Sequence, residues 1–497
     1  MKFKNVVLVF SLMLCILFSV SCVVANDLND TLVASDVDDV KITSNDENQV
    51  INQVEDDLIS KSNGGNFTEL QVKIIMASDD DTINLDKDYS FNNDPNLDKG
   101  ILIYKNLTID GKGHTIDGMS KSRIFTAFYG LNVNNKVVLK NIVFKNGFSD
   151  IYGGAILSFA NLTIDNCIFM DNYAKTAGGA ITSLGSLNLK NSKFDTNVAG
   201  GDAGAVLSLN LENCVEIFKS LNISLNTTDY SSLLFSIGLN SSLIHGKDFI
   251  SNCIFTNNAA KGNGGGAVYA ISHIDINSCS FNSNQAGNKG GAVYGSKDLF
   301  IKNSQFNKNR VNEYGGAVYF KCHEQSGHYD DGSWVTSVKF YSNLIENSIF
   351  ADNVAGERGG AIYGFKASAS DNVHCAKAVK CTFSDNDSPN GKDIYGGTLT
   401  NCVYKNTKVT LKKVAVKKSA KKLVLKATLK KGSSPLKSKQ VTFKFNGKTY
   451  KAKTNSKGIA KCSVKKKVLK KLKVGKKVTY KASYGRFTDK VTVKVKK

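Results

Sequence analysis

Apolar and polar residues alternate in short bursts along this chain, and the bursts recur. One unit reads Leu162-x-Ile164-x-Asn166, then Cys167-x-Phe169, then Asn172, then Gly178-Gly179-Ala180-Ile181. Others match it: Leu187, Leu189, Asn191, Ser192, Phe194 and Asn197; Ile274, Ile276, Cys279, Phe281 and Asn284; Leu299, Ile301, Asn303, Ser304, Phe306 and Asn309. Alternation with period two predicts strands, because successive strand side chains point to opposite faces. The alternation slips by one after Asn191 and after Asn303, which marks a corner between two strands. The Gly-Gly-Ala segment supplies a third. The pattern therefore predicts three short strands per unit.

Gly-Gly-Ala-(Ile/Val) begins at Gly153, Gly178, Gly265, Gly290, Gly315 and Gly359. Phe-x-x-Asn begins at Phe169, Phe194, Phe255, Phe281, Phe306, Phe350 and Phe383. A fixed period of this length means one supersecondary unit stacked on copies of itself. The predicted fold class is all-β: a right-handed parallel β-helix, or solenoid, over 63–404, followed by a small immunoglobulin-like β-sandwich over 405–497. The hand follows from the strong bias of parallel crossovers. Each coil rises by one strand spacing, so like residues stack on like. Asn172, Asn197, Asn258, Asn284, Asn309, Asn353 and Asn386 are read as a structural ladder, with left-handed backbone and amides bonded from coil to coil.

Interruptions fall at regular places. Phe67 to Ile75 reads as an amphipathic cap over the open end of the stack. Ala203-Gly204-Ala205-Val206 is a weak copy in which Ala203 replaces glycine. Excursions are expected over Leu209–Phe249, Lys321–Tyr341 and Phe365–Val379. All leave after the Gly-Gly-Ala strand, so they should project from one side. The last copy is read as Tyr395-Gly396-Gly397-Thr398. Beyond it, apolar residues alternate with Lys or Thr at 422–429, 441–445, 478–480 and 491–495. Turn signals at Asn446-Gly447 and Tyr484-Gly485 separate them.

Charge changes the picture at the C-terminus. The net charge is +22, but residues 405–497 hold 32 lysines, Arg486 and a single acid, Asp489. The rest of the chain is acidic. Such asymmetry implies a polyanionic partner for the tail, and an anionic cell-wall polymer or other envelope component is expected there. Residues 1–25 read as a signal peptide: Lys2 and Lys4, an apolar run from Val6 to Val20, and small residues up to Ala25. The run is too short for a membrane anchor. Residues 26–62 read as a flexible acidic leader. The expected location is extracellular, at the cell surface or secreted, which argues against nucleic acid as a partner. Of eleven cysteines, Cys15 and Cys22 leave with the signal, and the odd remainder leaves at least one thiol unpaired or paired between molecules.

The Gly-Gly-Ala and Phe-x-x-Asn pairs resemble the repeats of polymorphic outer-membrane proteins. Combined with Asn106-Leu107-Thr108-Ile109-Asp110-Gly111 and the lysine-rich tail, the chain resembles more closely the adhesin-like surface proteins of methanogenic archaea. The resemblance implies a right-handed parallel β-helix, an immunoglobulin-like domain and a role in cell adhesion. It supplies no ligand. The bacterial group carries a C-terminal membrane barrel that this sequence lacks, so autotransport is not expected.

Candidate chemistry is sparse. Cys167, Cys253, Cys279 and Cys381 alternate with Ser192, Ser304 and Ser348 at one position, which reads as a column of small inward residues. Cys322 and Cys375 lie on the second and third excursions and are the disulfide candidate. Cys322, His323, His328, His374 and Cys375 form a weaker metal candidate, since their spacing matches no standard zinc pattern. No cofactor is expected. Parallel β-helices also carry polysaccharide lyases and hydrolases, and Asp330, Asp331, Asp352 and Glu357 are the available carboxylates. Asp352 precedes ladder Asn353 and reads as a turn residue. The expectation is a non-enzymatic adhesin-like protein whose loops bind a cell, glycan or matrix. A polysaccharide lyase or glycoside hydrolase and a ligand-free envelope component are the alternatives. Asn222, Asn226 and Asn240 are the glycosylation candidates.

Overall fold

A computed structural model describes residues 64–127, 136–209, 247–330, 333–365 and 376–497. The chain divides into two compact units: one comprising the residues up to 381 together with 386–400, the other 382–385 and 401–497. The first is a right-handed parallel β-helix of long parallel sheets.

Three sheets carry the sequence pattern. In the leucine sheet, Leu162 pairs with Leu187 and Ile164 with Leu189. In the phenylalanine sheet, Phe169 pairs with Phe144 and Phe194. In the Gly-Gly-Ala sheet, Ile156 pairs with Ile181, and Ile181 with Val206. The structure adds a fourth strand in seven of the coils, only two residues long: Phe148–Ser149, Tyr173–Ala174, Val198–Ala199 and their successors to Val354–Ala355. Its inner positions hold small residues such as Ala174, Ala199 and Ala286. Two residues are too few to display an alternation, so this strand leaves no periodic signature.

The core is a pile of like side chains. Phe144, Phe169, Phe194, Phe255, Phe281, Phe306 and Phe350 are fully buried. Neighbouring rings lie 4.6–4.8 Å apart and within 12° of parallel. That separation is the strand spacing itself. Burying each ring contributes roughly 2–3 kcal/mol, and each ring pair about 0.5–1.5 kcal/mol more.

The paired glycines have different duties. Gly153, Gly178, Gly265, Gly290, Gly315 and Gly359 all have φ of +60° to +70°, a region that side chains disfavour. The second glycine is excluded by space. A Cβ on Gly179 would stand 2.1 Å from the Gly204 carbonyl oxygen. The last corner glycine is Gly391, φ +65°, not Gly396. Ile362 pairs with Ile394, so the final copy reads Gly391-Lys392-Asp393-Ile394.

The cap is a helix, α1 (Phe67–Met76). Asn66 starts it, its side-chain oxygen accepting the Glu69 N–H at 2.8 Å, as an N-cap should. Phe67, Leu70 and Ile74 are buried, and α1 packs on Gly65–Asn66, Tyr89–Ser90 and Ile101–Ile103 at the end of the stack.

The second unit folds as two antiparallel sheets. One contains Thr407–Leu411, Lys422–Lys431 and Ile459–Lys465; the other orders Lys448–Lys453, Gln440–Phe445, Lys477–Tyr484 and Phe487–Lys494. Leu425, Leu429, Val441, Phe443, Val464 and Tyr480 are fully buried between them. Asn446 and Gly447 both have positive φ, the geometry a two-residue hairpin loop requires.

Candidate functional surface

The corner asparagines form a continuous internal ladder. Asn197 Nδ2 donates to the Phe169 carbonyl at 3.0 Å and to Asn258 Oδ1 at 2.9 Å. The Asn258 oxygen also accepts the Asn197 N–H at 3.1 Å. Asn172, Asn258, Asn284, Asn309 and Asn353 repeat this arrangement, and Asn386 ends it on Asp393. The left-handed residue is not the ladder asparagine but its predecessor: Asp171, Thr196, Asn257, Ser283, Lys308, Asp352 and Asp385 have φ of +54° to +57°. The amide then points inward and the left-handed residue turns the corner.

The cysteine column is similar in kind. Cys253 and Cys279 are buried free thiols, and the Cys253 N–H points at the Cys279 sulfur at 3.5 Å. Ser192 and Ser304 accept the N–H of Cys167 and Cys279 in the same way. Burial pushes the Cys167 thiol up to about 12 and raises Cys253 as well.

The excursions share one seam. The strands Val206–Ser208, Val318–Lys321 and Ile362–Phe365 lie in the Gly-Gly-Ala sheet. The chain rejoins the leucine sheet at Asp248, Asn343 and Ala376. Phe249 and Val379, placed in excursions by the sequence, therefore belong to coil strands. The second excursion is a hairpin of His323–Asp330 against Ser333–Phe340. Cys322 is disulfide-bonded. Its partner, and also Cys375, His374, Asp331, Asn222, Asn226 and Asn240, lie outside the described residues, as do the side chains of His328 and Asp330. Among the described residues no group of three or more His, Cys, Asp or Glu side chains is placed to hold a metal ion.

Beside this seam runs a stripe of tyrosines that the sequence analysis did not single out. The outward position after Gly-Gly-Ala-(Ile/Val) is Leu157, Thr182, Leu207, Tyr269, Tyr294, Tyr319, Tyr363 and Tyr395 in successive coils. Tyr269 and Tyr294 stack at 4.3 Å, and Tyr363 and Tyr395 at 5.4 Å. Tyr395 is 38% exposed, whereas Tyr319 is only 4% exposed. Near the exposed end Tyr314 stacks on Tyr363 at 4.9 Å, and the Arg358 guanidinium lies 5.1 Å from the Tyr395 ring centre. Burial, then the Glu357 carboxylate, pushes the Tyr314 phenol up to about 12. Glu357 thus has aromatic and basic company, while Asp352 is a corner residue. The recurrence of Tyr after Ala-Val or Ala-Ile was the available signal.

Two buried charges also escaped the sequence reading. Arg123 stands one coil before Gly154, since Phe125 pairs with Ile156. Its guanidinium donates to the carbonyls of Lys99, Tyr152 and Gly153 and to Thr126 and Ser149 hydroxyls. Burial among these neutral acceptors holds it down to about 10. Asp248 occupies the inward position of Ile274. It accepts the Leu187 N–H at 2.8 Å and the hydroxyls of Ser208 and Ser272. Burial raises its carboxyl above the ordinary range.

Among the described residues no helix is long and apolar enough to cross a membrane. The family model of the Chlamydia polymorphic membrane protein repeat matches residues 278–296 and 347–364. Each segment runs from the phenylalanine strand through the Gly-Gly-Ala corner. Neither a curated protein nor a solved structure matches the chain.

Proposed function

We propose that this chain is a surface-display protein of the adhesin type. The observation that carries this reading is the shared seam: three insertions leave the Gly-Gly-Ala sheet and return to the leucine sheet at equivalent positions. A stack that absorbs insertions at one place, in unbroken register, is a scaffold for presenting them. The matched family is named for membrane proteins, which supports a location at the cell surface. The N-terminal segment, read as a signal peptide, supports export. The ligand of the loops is a cell, a glycan or a matrix component. The basic unit at 405–497 holds the chain to an anionic envelope polymer.

The test uses the full chain and a variant in which residues 210–246 are replaced by one glycine. That linker restores the spacing between Leu209 and Lys247 found in neighbouring coils. Binding to intact cells and to a glycan panel is measured beside thermal unfolding. Display predicts that binding falls at least tenfold while Tm moves by only a few degrees. Unchanged binding overturns the role of this loop.

A polysaccharide-acting enzyme is the second reading, and the Tyr314–Glu357–Arg358 group is what favours it. Release of unsaturated or reducing ends from uronate glycans, abolished by Glu357→Gln, would establish it. Absence of release across such a panel would remove it.

A further inference from the structure

We propose that one face of the C-terminal unit is a docking surface for an extended linear polyanion. It is the outer side of the sheet formed by Lys448–Lys453, Gln440–Phe445, Lys477–Tyr484 and Phe487–Lys494. This rests on the reading that the unit attaches the chain to an anionic envelope, and adds the face and the mode of binding.

The register brings lysines side by side. Lys444 pairs with Lys481, and Lys481 with Lys490, so three lysines form one row across the sheet. Lys477 pairs with Lys494 in a second row. Neighbouring strands lie about 4.8 Å apart, and the two rows are separated by roughly 13–14 Å along the strands. Midway between them Thr479 pairs with Thr492, their hydroxyls 2.7 Å apart. All of these side chains are exposed. Like charges directly opposite one another weaken a sheet, and a surface built only for solubility mixes both signs. Here no described acid forms an ion pair with any of the five lysines. The single acid of 405–497, Asp489, faces the other way: it pairs with Ala482 and accepts the Leu411 N–H at 2.7 Å. Repulsion of this kind is relieved when an anion arrives.

The chemistry narrows the occupant. Lysine offers a compact charge with rotatable donors, whereas arginine imposes a planar fork. A surface of lysines and hydroxyls follows repeating charge along a flexible chain, as in a polyphosphate or a polyuronate. The sheet presents no exposed large apolar side chain; those of this unit are Val403, Tyr404 and Val474. That argues against insertion into a bilayer surface. The opposite sheet also pairs lysines, Lys422 with Lys465 and Lys426 with Lys461. Val424 and Ile459 stand between and beside those rows, where the proposed face has Thr479 and Thr492 between its rows and Lys451, Thr442, Ser483 and Thr488 beside them.

The opposite sheet supplies an internal control of equal charge. The full chain, the triple variant K444Q/K481Q/K490Q and the triple variant K426Q/K461Q/K465Q are titrated with long-chain polyphosphate and with polygalacturonate. Each titration is run from 50 to 300 mM NaCl, with circular dichroism to check folding. The proposal predicts that the first variant loses at least tenfold in affinity at 150 mM and shows a shallower salt dependence, while the second loses less than threefold. Preference for one polymer identifies the anion. Equal losses in the two variants overturn the face while leaving attachment by net charge intact. Failure of the unmodified chain to bind either polymer at 150 mM overturns the attachment reading as well. Equal or tighter binding to vesicles containing phosphatidylglycerol replaces the polymer with a membrane.

Discussion

Asn197 and Asn258 are 61 positions apart in the chain and hydrogen-bonded as immediate neighbours, Nδ2 of the first to Oδ1 of the second at 2.9 Å. An entire excursion intervenes, yet the bond has the same length and partners as those between coils joined directly. From Asn197 to Asn386 each ladder amide uses both donors and both acceptor sites, so the buried polar groups of these amides are matched.

Asn258→Leu tests the value of that completeness. It strands the Asn197 N–H and one hydrogen of the Asn197 amide in the interior, and it takes one donor each from the Phe194 carbonyl and from the Asn284 oxygen, which keeps the N–H of residue 258. A loss of about 3–5 kcal/mol is expected from several unsatisfied buried groups, read as a lower midpoint in urea. Asn257→Gly, at the left-handed corner beside it, should be nearly neutral.

Ala203 holds a corner where other coils have glycine, at φ +57°. Left-handed backbone costs a residue with a Cβ roughly 1–2 kcal/mol. Replacement also removes a buried methyl, so Ala203→Gly is expected to stabilise the chain by at most about 1 kcal/mol. A lower Tm in this variant would show that methyl packing outweighs strain here.

Cys253→Ser should be tolerated within about 1 kcal/mol, since Ser192 and Ser304 make the same contacts elsewhere in the column. The native Cys167 and Cys253 thiols should resist alkylation at pH 8 until the chain is unfolded, because the thiolate is the reactive form and burial suppresses it. Mass spectrometry with and without denaturant reads this directly.

The interior carboxyl of Asp248 gives a pH dependence with a definite sign. Its folded pKa is raised by burial, against the hydroxyls of Ser208 and Ser272, the Leu187 N–H and the nearby His273. The fold therefore favours the protonated form. The contribution is present in full below the unfolded value of about 3.9 and is lost as pH rises through the folded one. Asp248→Asn should be more stable than the native chain at pH 7, with the difference closing towards pH 4. Denaturant midpoints at several pH values measure it.

Much of the coil was legible because identical residues recur at one spacing, and stacking in register is the only arrangement that buries Phe169, Phe194 and Phe255 together. What escaped was local or non-repeating. The fourth strand at Tyr173–Ala174 is too short to show a period. Arg123 sits in a copy, Ser122-Arg123-Ile124, that has lost the glycine signature. The strands Lys448–Lys453 and Ile459–Lys465 were missed because lysine interrupts their apolar pattern. In the basic unit the charge could be counted, but the row of Lys444, Lys481 and Lys490 could not be foreseen. Register between distant strands is set by the core beneath them, not by neighbours in the chain.

The helix α1 has one further implication. Parallel stacking has no natural stopping point, and each terminal coil offers its bare edge and greasy centre to any copy that drifts by. With Phe67, Leu70 and Ile74 plugged into that centre, fibre growth at this end is closed off. Removing residues 64–77 should turn a well-behaved solution into filaments.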